Sequence, residues 1–303
     1  MTINLKKNPK VLLTGGTGYI GSNLLKRLDS EGWRSATLIR EMTMFKSKKL
    51  NINNNVYAYD GTIESIKNAF EEFRPDIVIH LATVFLAQHS SEDIHRLIEC
   101  NLLFSTQLVE VMDKCGVKKM INTGTSWQYF QNSNYDPVNL YAATKQAFEA
   151  ILKYYENAKN MKTTTIVLFD TYGPLDPRNK LINLFWKSAI NQEKLEMSYG
   201  NQLIDLVYID DVIDIYILAA KDLMSGQINN LKYGVSSGET KTVRKLADEF
   251  QRISGLNLPI IWGAKEYRPR EVMKAWTNFE RHPSWTPSVM LDEGILRAKP
   301  INI

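Results

Sequence analysis

Soft metal ligands are scarce in this chain. Cys100 and Cys115 are the only cysteines among 303 residues, and the four histidines are scattered. With no Cys or His pair at ligand spacing, no metal site is expected. Two thiols, and nothing resembling a signal peptide around Met1-Thr2, point to a reducing cytoplasm without disulfides. No apolar run reaches the length of a membrane span, so no membrane partner is expected. Charge of one sign is not concentrated either. The formal charge of +4 is spread along the chain, with one cluster at Lys46, Lys48 and Lys49. That cluster reads as a solvated loop rather than an anion site, and no nucleic-acid partner is expected.

What is present is ordinary for an enzyme. Hydrophobic residues make up 44% and charged residues 23%, which argues against disorder. A chain this long buries a substantial core as one large or two unequal domains. Short apolar runs alternate with amphipathic stretches. "KVLLT", "SATLIR", "NVYAYD", "DIVIHLA", "KKMINT" and "TTTIVLFD" read as strands. Helices are expected in "GYIGSNLLKRLDSEG", closed by Gly32, and near 64–73, 91–115 and 138–159. This pattern predicts an α/β fold, a Rossmann-type doubly wound parallel sheet. After Pro174 the regularity weakens, which suggests a smaller mixed α/β substrate domain. The boundary is set at 1–170 and 171–303. Residues 206–236, in "LIDLVYIDDVIDIYILAA" and "NNLKYGV", look capable of returning to the main sheet.

The first chemical motif is "TGGTGYIG", where Gly15, Gly18 and Gly21 form G-x-x-G-x-x-G. A glycine triplet alone is equally a flexible turn. Here it follows a strand and opens a helix, the context of a dinucleotide site. Gly15 permits the tight turn, and Gly18 lets backbone amides reach a pyrophosphate. Gly21 lets helix and strand pack closely. The spacing resembles the short-chain dehydrogenase/reductase family, in its extended, nucleotide-sugar (epimerase/dehydratase) branch. That resemblance implies a cofactor site also lined by Thr17, Tyr19 and Ile20.

Arg40 ends the second strand, where a carboxylate would suit the ribose of NAD. A guanidinium there instead suits the 2′-phosphate of NADP, unless it is only a solvated strand-end residue. Asp60, followed by Gly61, resembles the family's adenine-contacting Asp. "HLAT" resembles the strand-end motif beside the cofactor riboses, which places Leu81, Ala82 and Thr83 at the site. His80 itself reads as a packed strand residue. Asn101 matches a family Asn that supports the site.

Tyr141 and Lys145 lie four apart in "YAATK" and so share a helical face. Alone, the pair is equally an ordinary partly buried Tyr beside a solvated Lys. Behind a glycine-rich turn and the hydroxyl-bearing strand end "TGTSWQYF" it becomes specific. Hydride exchange at a carbonyl requires its oxygen to gain or lose a proton. A neighbouring ammonium and the oxidised nicotinamide ring both favour phenolate and are expected to lower the phenol's pKa. Lys145 supplies that charge and is expected to hold the nicotinamide ribose beside Tyr141. The resemblance makes Thr125 the third member, orienting the substrate oxygen. Thr123 and Ser126 then bond local backbone, with Thr123 beside the cofactor and Ser126 a lesser substrate contact.

One feature of the related sequences is absent. Nucleotide-sugar 4,6-dehydratases resemble this region but carry an Asp-Glu pair after the Thr, for acid and base work on the leaving hydroxyl. Ser126 and Trp127 stand there instead, so dehydration is not expected. Trp127 reads as an apolar wall over the sugar or a packing residue.

The resemblance continues through "LFDTYGPLDPR", with Asp170 where an Asn is usual, to "YGVSSGETKTVRKLADEF" and "HPSWTPSVMLDEGI". Arg268 matches an Arg that holds the nucleotide-sugar diphosphate. Ile204 occupies the place of a second such Arg; Lys180 or Arg178 either compensates or is a solvated loop charge. Together these imply an NADP(H)-dependent 4-ketoreductase, similar to the CDP-abequose synthase group, acting on a nucleotide-diphosphate 4-keto-6-deoxyhexose. A 4-epimerase with resident NAD uses the same triad, and a non-catalytic NADP-binding sensor is the third reading. A homodimer is the assembly to test.

Overall fold

The computed structural model describes residues 9–41, 55–226 and 231–300. The lysine cluster at 46, 48 and 49 lies outside the described residues. β1 (Lys10–Thr14) leads into α1 (Tyr19–Ser30), β2 (Arg34–Arg40) and β3 (Asn55–Tyr59). α2 (Ile63–Phe73) precedes β4 (Ile77–His80). α3 (Asp93–Ile98) and α4 (Phe104–Lys114) precede β5 (Lys119–Thr125), and α5 (Leu140–Lys159) precedes β6 (Lys162–Leu168). Next come β7 (Asp170–Tyr172), α6 (Leu181–Asn191), β8 (Leu195–Met197), β9 (Leu203–Ile204), β10 (Leu206–Tyr208) and α7 (Ile209–Ser225). β11 (Leu231–Val235), β12 (Lys241–Thr242), α8 (Val243–Ser254), β13 (Ile260–Trp262) and α9 (Leu291–Arg297) follow.

Among the described residues the main sheet has seven strands, in the order β11-β6-β5-β4-β1-β2-β3. Every pairing in it is parallel. Parallel strands need crossovers, and helices cover both faces, so central strands are apolar on both sides. Val11, Leu12 and Leu13 are accordingly all fully buried. Val11, Leu13, Ile77 and Ile79 pack with α1 and α7. Leu12 and Val78 face the other way, against α2, α4 and α5. This is the doubly wound α/β sheet expected. Because the chain winds outward in opposite directions from β1 and β4, a crevice opens between their carboxyl ends.

Three local features differ from the sequence reading. The run 91–115 is not one α-helix: a π-helical turn, Glu99–Leu103, separates α3 from α4. The stretch "TTTIVLFD" ends as a main-sheet strand at Leu168, and β7 instead pairs with β10 in a small sheet of their own. Of the stretches considered for return to the main sheet, β11 does pair with β6. β10 does not, although the helix that follows it packs into the same core.

Candidate active site

Between β1 and α1 only four residues reverse the chain. Gly15 takes a left-handed φ of +76°, and a Cβ there would lie 2.7 Å from the Ala82 backbone nitrogen. A Cβ on Gly21 would lie 2.2 Å from the Gly15 carbonyl oxygen, so α1 sits against the turn only without a side chain. Gly18 is the N-cap of α1; no side chain caps it, and the first turn holds no acidic residue. The leading amides of a twelve-residue helix, with its positive dipole end, therefore face the crevice without a competing anion. This cradle fits the pyrophosphate of a dinucleotide.

A cavity of about 650 Å³ fills the crevice. Arg40, Glu41, Asp60 and Gly61 line it from the carboxyl ends of β2 and β3. Thr17, Gly18, Tyr19, Ile20, Leu81, Ala82 and Thr83 line it from the β1 and β4 loops. Thr123, Thr125, Ser126, Trp127, Tyr141, Asp170, Arg178 and Lys180 line the far side. Asp60 accepts from the Thr62 amide at 2.9 Å and its hydroxyl at 2.7 Å, which holds its carboxyl below the usual range. Lys145 and Asn101 are buried behind this wall.

Asn139 fixes where α5 begins. Its Oδ1 accepts from the Ala142 amide at 2.9 Å, while its Nδ2 donates to the Leu86 and Ala87 carbonyls after β4. Tyr141, in the first turn, rests edge-on against Phe85 with ring centres 5.0 Å apart. Burial pushes its phenol up to about 12; hydrogen bonds with Thr125 and Thr83 oppose this and the Asp170 carboxylate adds to it. Burial pulls Lys145 down to about 8, against the opposing pull of Glu149 and Cys100. The phenol's pKa is set first by desolvation, not by the lowering expected from the Lys145 ammonium.

Asn101 lies in the π-helical turn. Its Oδ1 accepts from the Val84 amide at 2.8 Å and the Thr83 hydroxyl at 3.1 Å. Its Nδ2 donates to the Val84 carbonyl and to Thr144 of α5. The wide turn aims this amide between β4 and α5, a use π-turns often have. His80 is fully buried, with Nδ1 2.7 Å from the Thr14 hydroxyl and Nε2 2.8 Å from that of Ser105. Burial, with Lys145 adding, holds it well below the usual histidine range, a packed strand residue as expected.

Residues 11–231 match the model of the NAD dependent epimerase/dehydratase family. The chain belongs to this family. Among its relatives, a CDP-abequose synthase of Yersinia pseudotuberculosis is 29% identical over 267 residues, 87% of this chain and 90% of that one. A UDP-glucose 4-epimerase of Mycolicibacterium smegmatis is 24% identical, covering 95% and 96%. Among solved structures, the Thermotoga maritima UDP-glucose 4-epimerase with UDP-glucose superposes with a TM-score of 0.86 at 25% identity, covering 96% and 97%. The Thermus thermophilus UDP-glucose 4-epimerase with NAD gives 0.82, also at 25% and with the same coverage.

In this epimerase/dehydratase family member the strand end is held by a residue the sequence reading passed over. Thr125 caps a short 3₁₀ turn, Ser126–Gln128, and Gln128 Oε1 accepts its amide at 2.8 Å. Thr123 bonds a side chain rather than backbone, its hydroxyl lying 2.7 Å from that of Tyr216. Phe85 was also missed; it contacts both Tyr141 and Trp127 and completes an aromatic wall. Both Gln128 and Phe85 stand beside the motifs that were legible, but nothing in their types marks them.

The cationic residues are differently employed. Lys180 lines the cavity 3.1 Å from Asp170 and lies over the Phe85 ring. Arg178 is held by Asp176 at 2.7 Å and lies 4.8 Å from the Tyr19 ring centre. Arg268 lies 5.2 Å from the Trp127 ring centre, with Glu271 bonded at 2.6 Å. Ile204 lines a separate cavity of about 70 Å³ with Tyr172 and Lys241. Among the described residues no helix is long and apolar enough to cross a membrane, and no group of three metal-ligating side chains forms.

Proposed function

We propose that this protein reduces the C4 keto group of a nucleotide-linked 4-keto-6-deoxyhexose, using NADPH. When bound, the reduced nicotinamide supplies a hydride to the carbonyl carbon. Tyr141 donates its phenolic proton to the carbonyl oxygen, which becomes the product hydroxyl, and regains a proton from solvent. A phenol raised to about 12 is protonated at neutral pH, as a donor must be. Thr125 aligns the oxygen, and Lys145 supplies the positive charge that stabilises the phenolate left behind. Arg268, Lys180 and Asp170, with the rest of 171–303, are assigned to the nucleotide-sugar side, Ser126 and Trp127 to the wall over the sugar.

The observation that carries the cofactor choice is Arg40, which lines the cavity at the end of β2 where NAD sites place a carboxylate. Paired charge-assisted bonds to a 2′-phosphate favour NADPH over NADH by roughly five- to a hundred-fold. Arg40→Asp reverses that preference. Titrating wild type and variant with both reduced cofactors tests it; equal wild-type affinities would discard the NADPH assignment. The second reading is a 4-epimerase with resident NAD. It is favoured by Glu41, a carboxylate that follows Arg40 and also lines the cavity.

A further inference from the structure

Tyr141, Lys145 and Glu149 recur every fourth residue along α5 and so share one face. Proton donation needs no carboxylate there. Yet the Glu149 side chain is only 10% exposed, packed under the carboxyl end of β5. Burying a carboxylate is costly unless it is paired and hydrogen-bonded. Lys232 of β11 supplies the ion pair, and Gln128 Nε2 donates to Glu149 Oε1 at 2.8 Å. The strand makes room for this: a Cβ on Gly124 would stand 2.9 Å from Gln128 Oε1 and 3.3 Å from Glu149 Oε1.

The contacts of Gln128 fix its direction. Its Nε2 donates to Glu149 and also to Gln146 Oε1 at 2.9 Å, using both amide hydrogens. Its Oε1 is then left to accept the Thr125 amide. With oxygen and nitrogen exchanged, the amide oxygen would face two acceptors. The carboxylate thus reaches Thr125 through one side chain and Lys145 through space.

We propose that Glu149 is a positioning residue that orients Thr125 through Gln128 and sustains the charge on Lys145. The inference rests on the reading of Tyr141, Lys145 and Thr125 as the reacting set. The groups facing Lys145 are few. His80 on β4 is held neutral by burial, and Cys100, in the π-helical turn, favours the lysine's charge only as a thiolate, a state that burial of its thiol opposes. Tyr141 shares its helix, while Lys232 and Tyr129 lie on the far side of Glu149.

The test is a titration of lysine ¹³Cε resonances in the full chain, with the Lys145 signal identified by its loss in Lys145→Met. In Glu149→Gln the Lys145 midpoint falls below the wild-type value near 8, and the alkaline limb of the reduction rate moves to lower pH with it. An unmoved midpoint in a variant whose circular dichroism and melting match wild type overturns the proposal. If Glu149→Gln does not fold, Lys232→Met serves, since it leaves the carboxylate less neutralised. There the midpoint rises, and no rise overturns the proposal. Gln128→Leu keeps the charge, so it lowers turnover without moving the midpoint; unchanged turnover removes the Thr125 half. The titration needs no substrate, so a wild type inactive on every 4-keto sugar would overturn the functional reading alone.

Discussion

Tyr141 and Lys145 are displaced in opposite directions by the same cause. Burial disfavours both phenolate and ammonium, so the phenol rises to about 12 and the lysine falls to about 8. Each stays protonated at neutral pH, the state in which a donor and its stabilising cation are useful. Tyr141→Phe removes the donor and its hydrogen bonds with Thr125 and Thr83 but keeps the ring packed against Phe85. Turnover in ketone reduction should drop by roughly two to four orders of magnitude with NADPH affinity nearly unchanged. Steady-state rates beside a cofactor titration check this; wild-type turnover in the Phe variant would remove the acid assignment. At this scale the sequence was informative where residue type and spacing coincide, as in "YAATK". The lowering expected of the phenol has the wrong sign, because desolvation depends on neighbours distant in the chain.

At the scale of elements, α5 carries Tyr141 and Lys145 on one face and bears the energetic cost of burying them. A lysine lowered to about 8 from the ordinary value opposes folding at neutral pH by about 3 kcal/mol. The sign follows from proton binding. Between pH 8 and 10.5 the unfolded chain holds the lysine proton and the folded chain does not, so stability rises with pH there. Lys145→Met should therefore melt higher than wild type at pH 7 while losing activity, and the advantage should shrink towards pH 10.5. Melting curves of the two proteins across that range measure it. A variant less stable at pH 7 would show that Lys145 holds the fold rather than costing it. The elements themselves were largely legible, since apolar runs and amphipathic stretches alternate. The π-helical turn was not, because no residue type in Glu99–Leu103 marks a wider turn. Nor was the break after Leu168, where the chain passes from the main sheet to pair with β10 instead.

Across the whole molecule, strand order decides what the parts can do together. Because β1 and β4 lead outward in opposite directions, one crevice collects Arg40 from β2 and the glycine turn from β1. It also collects Thr83 beyond β4, Thr125 from β5 and Tyr141 from α5. Motif spacing could announce a dinucleotide fold, and the epimerase/dehydratase model agrees over residues 11–231. It could not say how charges on the substrate side are shared out. Arg268 spends its guanidinium on Glu271, and Ile204 faces a different cavity altogether, both set by tertiary packing. The proposed reaction is net reduction at C4. Its most direct test mixes the protein with deuteride-labelled NADPH and freshly made CDP- and dTDP-4-keto-6-deoxyhexoses, following cofactor absorbance and product by NMR. One NADPH consumed per keto group, with deuterium at C4, is the predicted result. No net NADPH consumption, with interconversion of a UDP-hexose and its 4-epimer by protein carrying bound NAD, would contradict it.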